Sequence, residues 1–187
     1  MALTLITSKT APGDADSGAL VFTNGSDSVV LDSTYKEYQF HFVNLHPANN
    51  AVAISFQVDT ASNTSYNQAI ASSFFRTKHH EDGSAQEIAY VASYDQKPAD
   101  QAFQLLCNDL GNANDESVSG LFTLYDPSNG THVKHFTSRM SEVHESDIMM
   151  DSFCAGYVDT GTALTTIKFK FDSGNIDTGT IYMYGVS

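Results

Sequence analysis

The chain has 187 residues, with 22 acidic side chains against 9 lysines and arginines, and a formal charge of −13. A polyanion of this kind repels phosphate backbones and anionic lipid, which argues against nucleic acid and membrane surfaces as partners. No segment approaches the roughly 18 apolar residues of a membrane span, and Met1–Lys9 lacks a basic start followed by an apolar run, so no secretory signal is expected.

The elements follow from alternation and turn chemistry. The polar stretch Ser8–Gly18 is expected to be an arm or extended lead-in, giving an N-terminal segment 1–18 ahead of one β-sandwich domain over 19–187. A first strand is predicted at 19–23, ended by Asn24-Gly25. In the next, 37–44, Tyr38, Phe40 and Phe42 fall on one face and Gln39 and His41 on the other. Over 52–58 the apolar set is Val52, Ile54, Phe56 and Val58, with Ala53, Ser55 and Gln57 opposite. Strands at 72–80 and 87–93 flank the turn Glu81-Asp82-Gly83-Ser84. Pro98–Leu106 has some helical character, but Phe103, Leu105 and Cys107 alternate, and a strand at 103–109 is preferred. Further strands are expected at 117–125, 132–138, 152–157 and 163–171. In the last of these Ile167, Phe169 and Phe171 face inward while Thr166, Lys168 and Lys170 face out, and a slipped register would bury both lysines. The final strand, 179–184, alternates less cleanly and is expected to be covered on both faces. Ten or eleven short strands separated by turns predict an all-β, antiparallel two-sheet sandwich of jelly-roll-like form.

Several motifs resemble chemistry and have simpler readings. Asp159-Thr160-Gly161 and Asp177-Thr178-Gly179 carry the tripeptide of aspartic proteases, in which two carboxylates share a proton. Here one strand separates the two loops, too little for two lobes, and Asp and Gly are turn formers. His79-His80 and His132/His135 split across opposite strand faces, and His41, His46 and His144 lack a ligand-spaced partner, so no metal and no cofactor is assigned. The loop Asp109–Glu116 offers oxygen ligands without the order of a calcium-binding hand and reads as a solvated turn. The sequons at Asn24, Asn63 and Asn129 read as Asn-rich turns. Cys107 and Cys154 are too few for a disulfide framework and read as small reduced residues, although spacing leaves their pairing open. No nucleophile elbow, phosphate-cradling glycine loop or C-x-x-C occurs, so no catalytic residue is assigned and a non-enzymatic role is expected. Of the aromatics, Phe40, Phe42, Phe56, Phe169 and Phe171 read as core. Tyr35, Tyr66, Tyr94 and Tyr125 sit near turns, where exposure would suit an interface or a sugar.

Four blocks carry a family resemblance: Asp32–Pro47, Leu124–Ser128, Lys134-His135-Phe136, and the ending Ile167–Gly185 with its Gly-Thr-Ile-Tyr-Met-Tyr-Gly close. From about residue 20 onward the chain resembles small β-sandwich structural proteins of tailed phages, especially marine ones. The resemblance implies a virion protein on the particle exterior, as capsid decoration or a tail-associated fibre, made in the host cytoplasm. Its implied partners are other virion proteins and further copies of itself, with a host-surface glycan as the alternative.

Overall fold

A computed structural model describes residues 2–15, 18–61 and 63–187. Among them lie twelve strands: β1 (Leu3–Ala11), β2 (Ala19–Thr23), β3 (Glu37–Pro47), β4 (Ile54–Thr60), β5 (Ile70–His80), β6 (Gln86–Tyr90), β7 (Gln104–Leu105), β8 (Val118–Tyr125), β9 (Lys134–His144), β10 (Ile148–Val158), β11 (Leu164–Phe171) and β12 (Ile176–Val186). They form two antiparallel sheets, β1-β12-β3-β8-β9-β10-β5-β6 and β2-β11-β4-β7, packed as a sandwich. Most connections cross from one sheet to the other, and the interleaved order is that of a jelly roll. The meander β8-β9-β10 fills the space between β3 and β5, while β12 and β1 extend the large sheet beyond β3. Among the described residues, β1 is paired along its length with β12 alone, and β2 with β11 alone.

Phenylalanines from both sheets meet at the centre. Phe169 of β11 lies 5.0 Å from Phe42 and 5.3 Å from Phe40, and Phe56 of β4 lies 4.6 Å from Phe122 and 4.8 Å from Phe136, measured between ring centroids. These are edge-on and tilted arrangements, which the ring quadrupole favours over face-to-face stacking. All are fully or almost fully buried, as the alternation in 37–44, 52–58 and 163–171 predicts.

The ends of elements depart from expectation for physical reasons. The stretch 1–18, read as a lead-in, holds β1; Asp16 and Ser17, within the same polar stretch, lie outside the described residues. In β1, Leu3 and Leu5 point to solvent, so no core-facing alternation marks it. The segment read as a strand over 103–109 pairs only at Gln104–Leu105, and its parity is reversed. Gln104, opposite Phe56, turns inward, where it accepts a hydrogen bond from Ser72 Oγ (2.6 Å) and donates to the Tyr94 and Leu105 carbonyls. The 132–138 and 152–157 strands extend to Lys134–His144 and Ile148–Val158. The last strand is covered on one face, not two: Ile181 and Met183 are buried, whereas Tyr182 and Tyr184 stand half-exposed on the outside.

The outer face of the small sheet is roofed by the segments around 66–68 and 96–103. Gln57 donates to the Gln68, Gln101 and Ala102 carbonyls, and Asp59 accepts from Tyr66 N and Gln68 Nε2, so the polar side of β4 is buried but satisfied. Lys168 and Lys170 do face outward, each with its ammonium over a ring of this roof, Tyr66 at 4.9 Å and Phe103 at 4.7 Å.

Two glycines of the closing motif have steric causes. Gly179 has φ +110° at an irregularity in the β3–β12 pairing, and a Cβ there would lie 2.4 Å from the Asn44 carbonyl oxygen. Gly185 lies under Tyr35, whose ring stands edge-on to Tyr38 at 5.8 Å; an added Cβ would come within 2.3 Å of that ring. Gly185→Ala is therefore expected to cost about 1–3 kcal/mol, read as a lower urea midpoint at unchanged slope.

Candidate functional site

The register separates the groups that resemble a protease. Asp159 follows Val158, which pairs with Lys134 at the start of β9, while Asp177 lies near His46, beyond Leu45, Val118 and Glu142 at the other end of the sheet. Eight residue steps along β9, from Lys134 to Glu142, separate the two ends, on the order of 25 Å at about 3.3 Å per residue, so the carboxylates cannot share a proton. The loops are also occupied: the Thr160 carbonyl accepts from the inward-facing Lys134 ammonium (2.9 Å), and Asp177 Oδ2 lies 3.7 Å from His46 Nδ1.

The other polar motifs are spent on local structure. Glu116 is buried beneath Gly111 and accepts from Ala113 N, while Asn112 N donates to Asn50 Oδ1, so the 109–116 loop is braced by its own polar groups. The side-chain oxygens of Asn24, Asn63 and Asn129 accept backbone N–H groups of Leu31, Ser65 and Thr131, holding turns. His79 is exposed opposite Met149, His132 sits in a turn, and His135 on β9 lies 6.0 Å from Tyr157. Among the described residues no three His, Cys, Asp or Glu side chains gather as metal ligands do.

Sequence reasoning missed a buried polar cluster at the end of the sandwich. Glu142 faces inward from β9, 2% exposed, with Ser152 Oγ donating to it at 3.3 Å and the Cys107 thiol hydrogen-bonded to it. Burial pushes its carboxyl up to about 8, against the weaker pull of these bonds and of the Arg76 charge. Arg76 is tied instead to Asn108 Oδ1 at 2.6 Å. Cys107 and Cys154 are both free and buried, and burial raises both thiols, Cys154 to about 12, which leaves them unreactive.

The second feature is the outer face of the eight-stranded sheet. Directly paired residues of antiparallel strands share a face. One row of such pairs crosses the sheet through Tyr182, His41, Leu121, Arg139, Phe153, Phe75 and Tyr90. Phe75 and Phe153 stack at 4.6 Å with rings 4° from parallel, and the Arg139 guanidinium lies 5.2 Å from the Phe153 ring centre. Arg139 also holds Asp151 through paired hydrogen bonds of 2.7 and 3.0 Å. A shallow groove of about 420 Å³ runs beside them, lined by Ser119, Gly120, Leu121 and Met149. Among the described residues, the large apolar side chains that stand exposed are Leu3, Leu5, Val43, Phe75, Ile88, Tyr90, Tyr125 and Met149. By register every one of them belongs to this face. Of the four tyrosines expected near turns, Tyr125 is among them; Tyr35, Tyr66 and Tyr94 are half-buried.

Comparison of the chain with protein-family models, curated proteins and solved structures finds no match in any of the three.

Proposed function

We propose that this chain is a non-enzymatic structural protein on the exterior of a tailed-phage particle, as capsid decoration or a tail-associated fibre. The observation that carries this reading is the division of its surface. One broad sheet face gathers the exposed apolar side chains, while acidic residues such as Asp27, Glu81, Asp82, Asp115 and Glu145 stand exposed in the loops. Patches of this kind on otherwise polar proteins mark interaction sites. The resemblance of residues 32–47 and 167–185 to phage structural proteins supplies the setting; the blocks contain β3 and most of β12 of the large sheet and part of β11 of the small one. The reading predicts that the chain bands with purified particles in a density gradient and can be added back to particles stripped of it. A chain left wholly in the soluble lysate would overturn it.

A second reading, a receptor- or host-glycan-binding module, draws on the exposed stacked pair Phe75–Phe153 with Tyr90, since sugars stack on aromatic faces. Blocking of phage adsorption by the purified chain would favour this reading over plain decoration.

A further inference from the structure

The exposed apolar side chains come from six different strands, yet all lie on one side of one sheet. The opposite side of that sheet is the core, and the small sheet's outer face is roofed by chain, which leaves this as the one broad strand surface open to solvent among the described residues.

Its charge is as selective as its apolarity. On its paired stretches the charged side chains are Glu37, Arg139 and Asp151, and the last two neutralise each other; Asp177 stands at the rim, at the irregular start of β12. A chain of net charge −13 has therefore kept almost all its acids off this face. A basic partner would be matched by acids here, and they are missing. A partner that carries the same −13 is tolerated only where the charge has been removed. The groove suits a saccharide poorly, because its best polar groups, Arg139 and Asp151, are already committed to each other.

The size also fits. Several of the strands run 11 residues, so eight strands at about 4.8 Å spacing and 3.3 Å per residue span on the order of 1,200 Å². An ordinary stable interface takes about 800 Å² from each partner.

We propose that a second copy of this chain covers this face, the two eight-stranded sheets packing against each other about a two-fold axis. The proposal names a partner for the structural role set out above and rests on that role being one of assembly. Phe75, Met149 and Ile88 lie in the buried part of this interface, and the acidic loops at its rim face like charges.

Sedimentation velocity of the purified chain over about 1–100 μM tests the proposal, a range in which an interface of this size is either held or dissociated. The natural chain is expected to be dimeric. Phe75→Glu combined with Met149→Glu is expected to weaken association at least about 100-fold while the far-ultraviolet dichroism stays native. Gln101→Glu, on the roof of the small sheet, is expected to leave it unchanged. Raising NaCl from about 0.1 to about 1 M is expected to tighten the dimer, because screening falls from about 10 to 3 Å and relieves the like-charged rims. A monomer throughout, a dimer indifferent to the Phe75/Met149 substitutions, or one that salt dissociates would overturn the proposal. A monomer that binds saccharide through this face would replace the second copy with a sugar. A monomer that still bands with particles would sink self-association alone, and a dimer absent from particles would sink the virion role alone.

Discussion

Glu142→Gln is expected to remove a loss of stability that the natural chain suffers as pH rises from about 4.5 to about 8. The folded carboxyl titrates at about 8, against an ordinary value of 4.5. Between those two values the folded state holds a proton that the unfolded state has released, so stability falls with rising pH, and above the folded value the full penalty of this one group is present and grows no further. A shift of this size corresponds to about 3–5 kcal/mol. Other groups act in other windows. His41 and His144, lowered by burial, resist protonation in the fold and cost stability below about pH 6.5. The Asp27 carboxyl is lowered by its bond to Lys9, and Asp126 by Lys36 and Asn129; both act only in the acid range. These contributions are common to both chains, so the difference in unfolding free energy between Glu142→Gln and the natural chain isolates Glu142. That difference should favour the variant increasingly from pH 5 to 8, measured by urea unfolding at each pH. Parallel profiles would show that the carboxyl ionises at its ordinary value inside the fold.

Phe169→Ala is expected to be the most damaging single truncation. The Phe169 ring is fully buried, with five phenylalanine rings around it: Phe42 at 5.0 Å, Phe40 at 5.3 Å, Phe122 at 5.6 Å, Phe22 at 6.3 Å and Phe56 at 6.5 Å. Three of these neighbours, Phe40, Phe42 and Phe122, belong to the facing sheet, and the other two to β11's own partners β2 and β4, so no one element can move in to close the gap. The loss should be about 3–5 kcal/mol, or roughly 6–20 °C in melting temperature for a domain of this size. Lys170→Ala, one position along on the outer face, removes only a cation–ring contact and should cost less than about 1 kcal/mol. A loss below 1 kcal/mol at Phe169 would mean that the ring cluster is not the centre of the core.

The fold was legible where side chains obey the simplest alternation. Tyr38-Gln39-Phe40-His41-Phe42 and Ile167–Phe171 put every large apolar residue inward, and their strands and faces follow from period alone. Legibility fails where polar groups take inward places. Lys134, Ser138 and Glu142 occupy core-facing positions of β9, and Gln104 takes one in β7; Lys134, Glu142 and Gln104 are bonded to groups from other segments, while Ser138 Oγ and one Glu142 oxygen are buried without a hydrogen-bond partner among the described residues. The buried cluster around Glu142 could not be read, because Arg76, Cys107, Glu142 and Ser152 meet only through the order β9-β10-β5 and the loop after β7. The outer face was equally hidden. Met149 beside Asp151 or Ile88 beside Glu87 reads as an unremarkable edge position until sheet order sets them on one plane. The Asp-Thr-Gly pair shows the converse, since a recognisable motif separates once the register is known.

The pairing of β1 with β12 and of β2 with β11 has a consequence for how the chain is made. β1 and β2 are made long before β12 and β11, the strands they pair with, and those later strands occupy interior positions in both sheets. Neither sheet can close while translation is still short of residue 164. Until then Phe22, Phe40 and Phe56 have no Phe169 to meet, and the nascent chain must be held soluble by something other than its native core. Its dense acidic turns supply that protection through self-repulsion, so the charge that shapes the finished surface also guards the unfinished one.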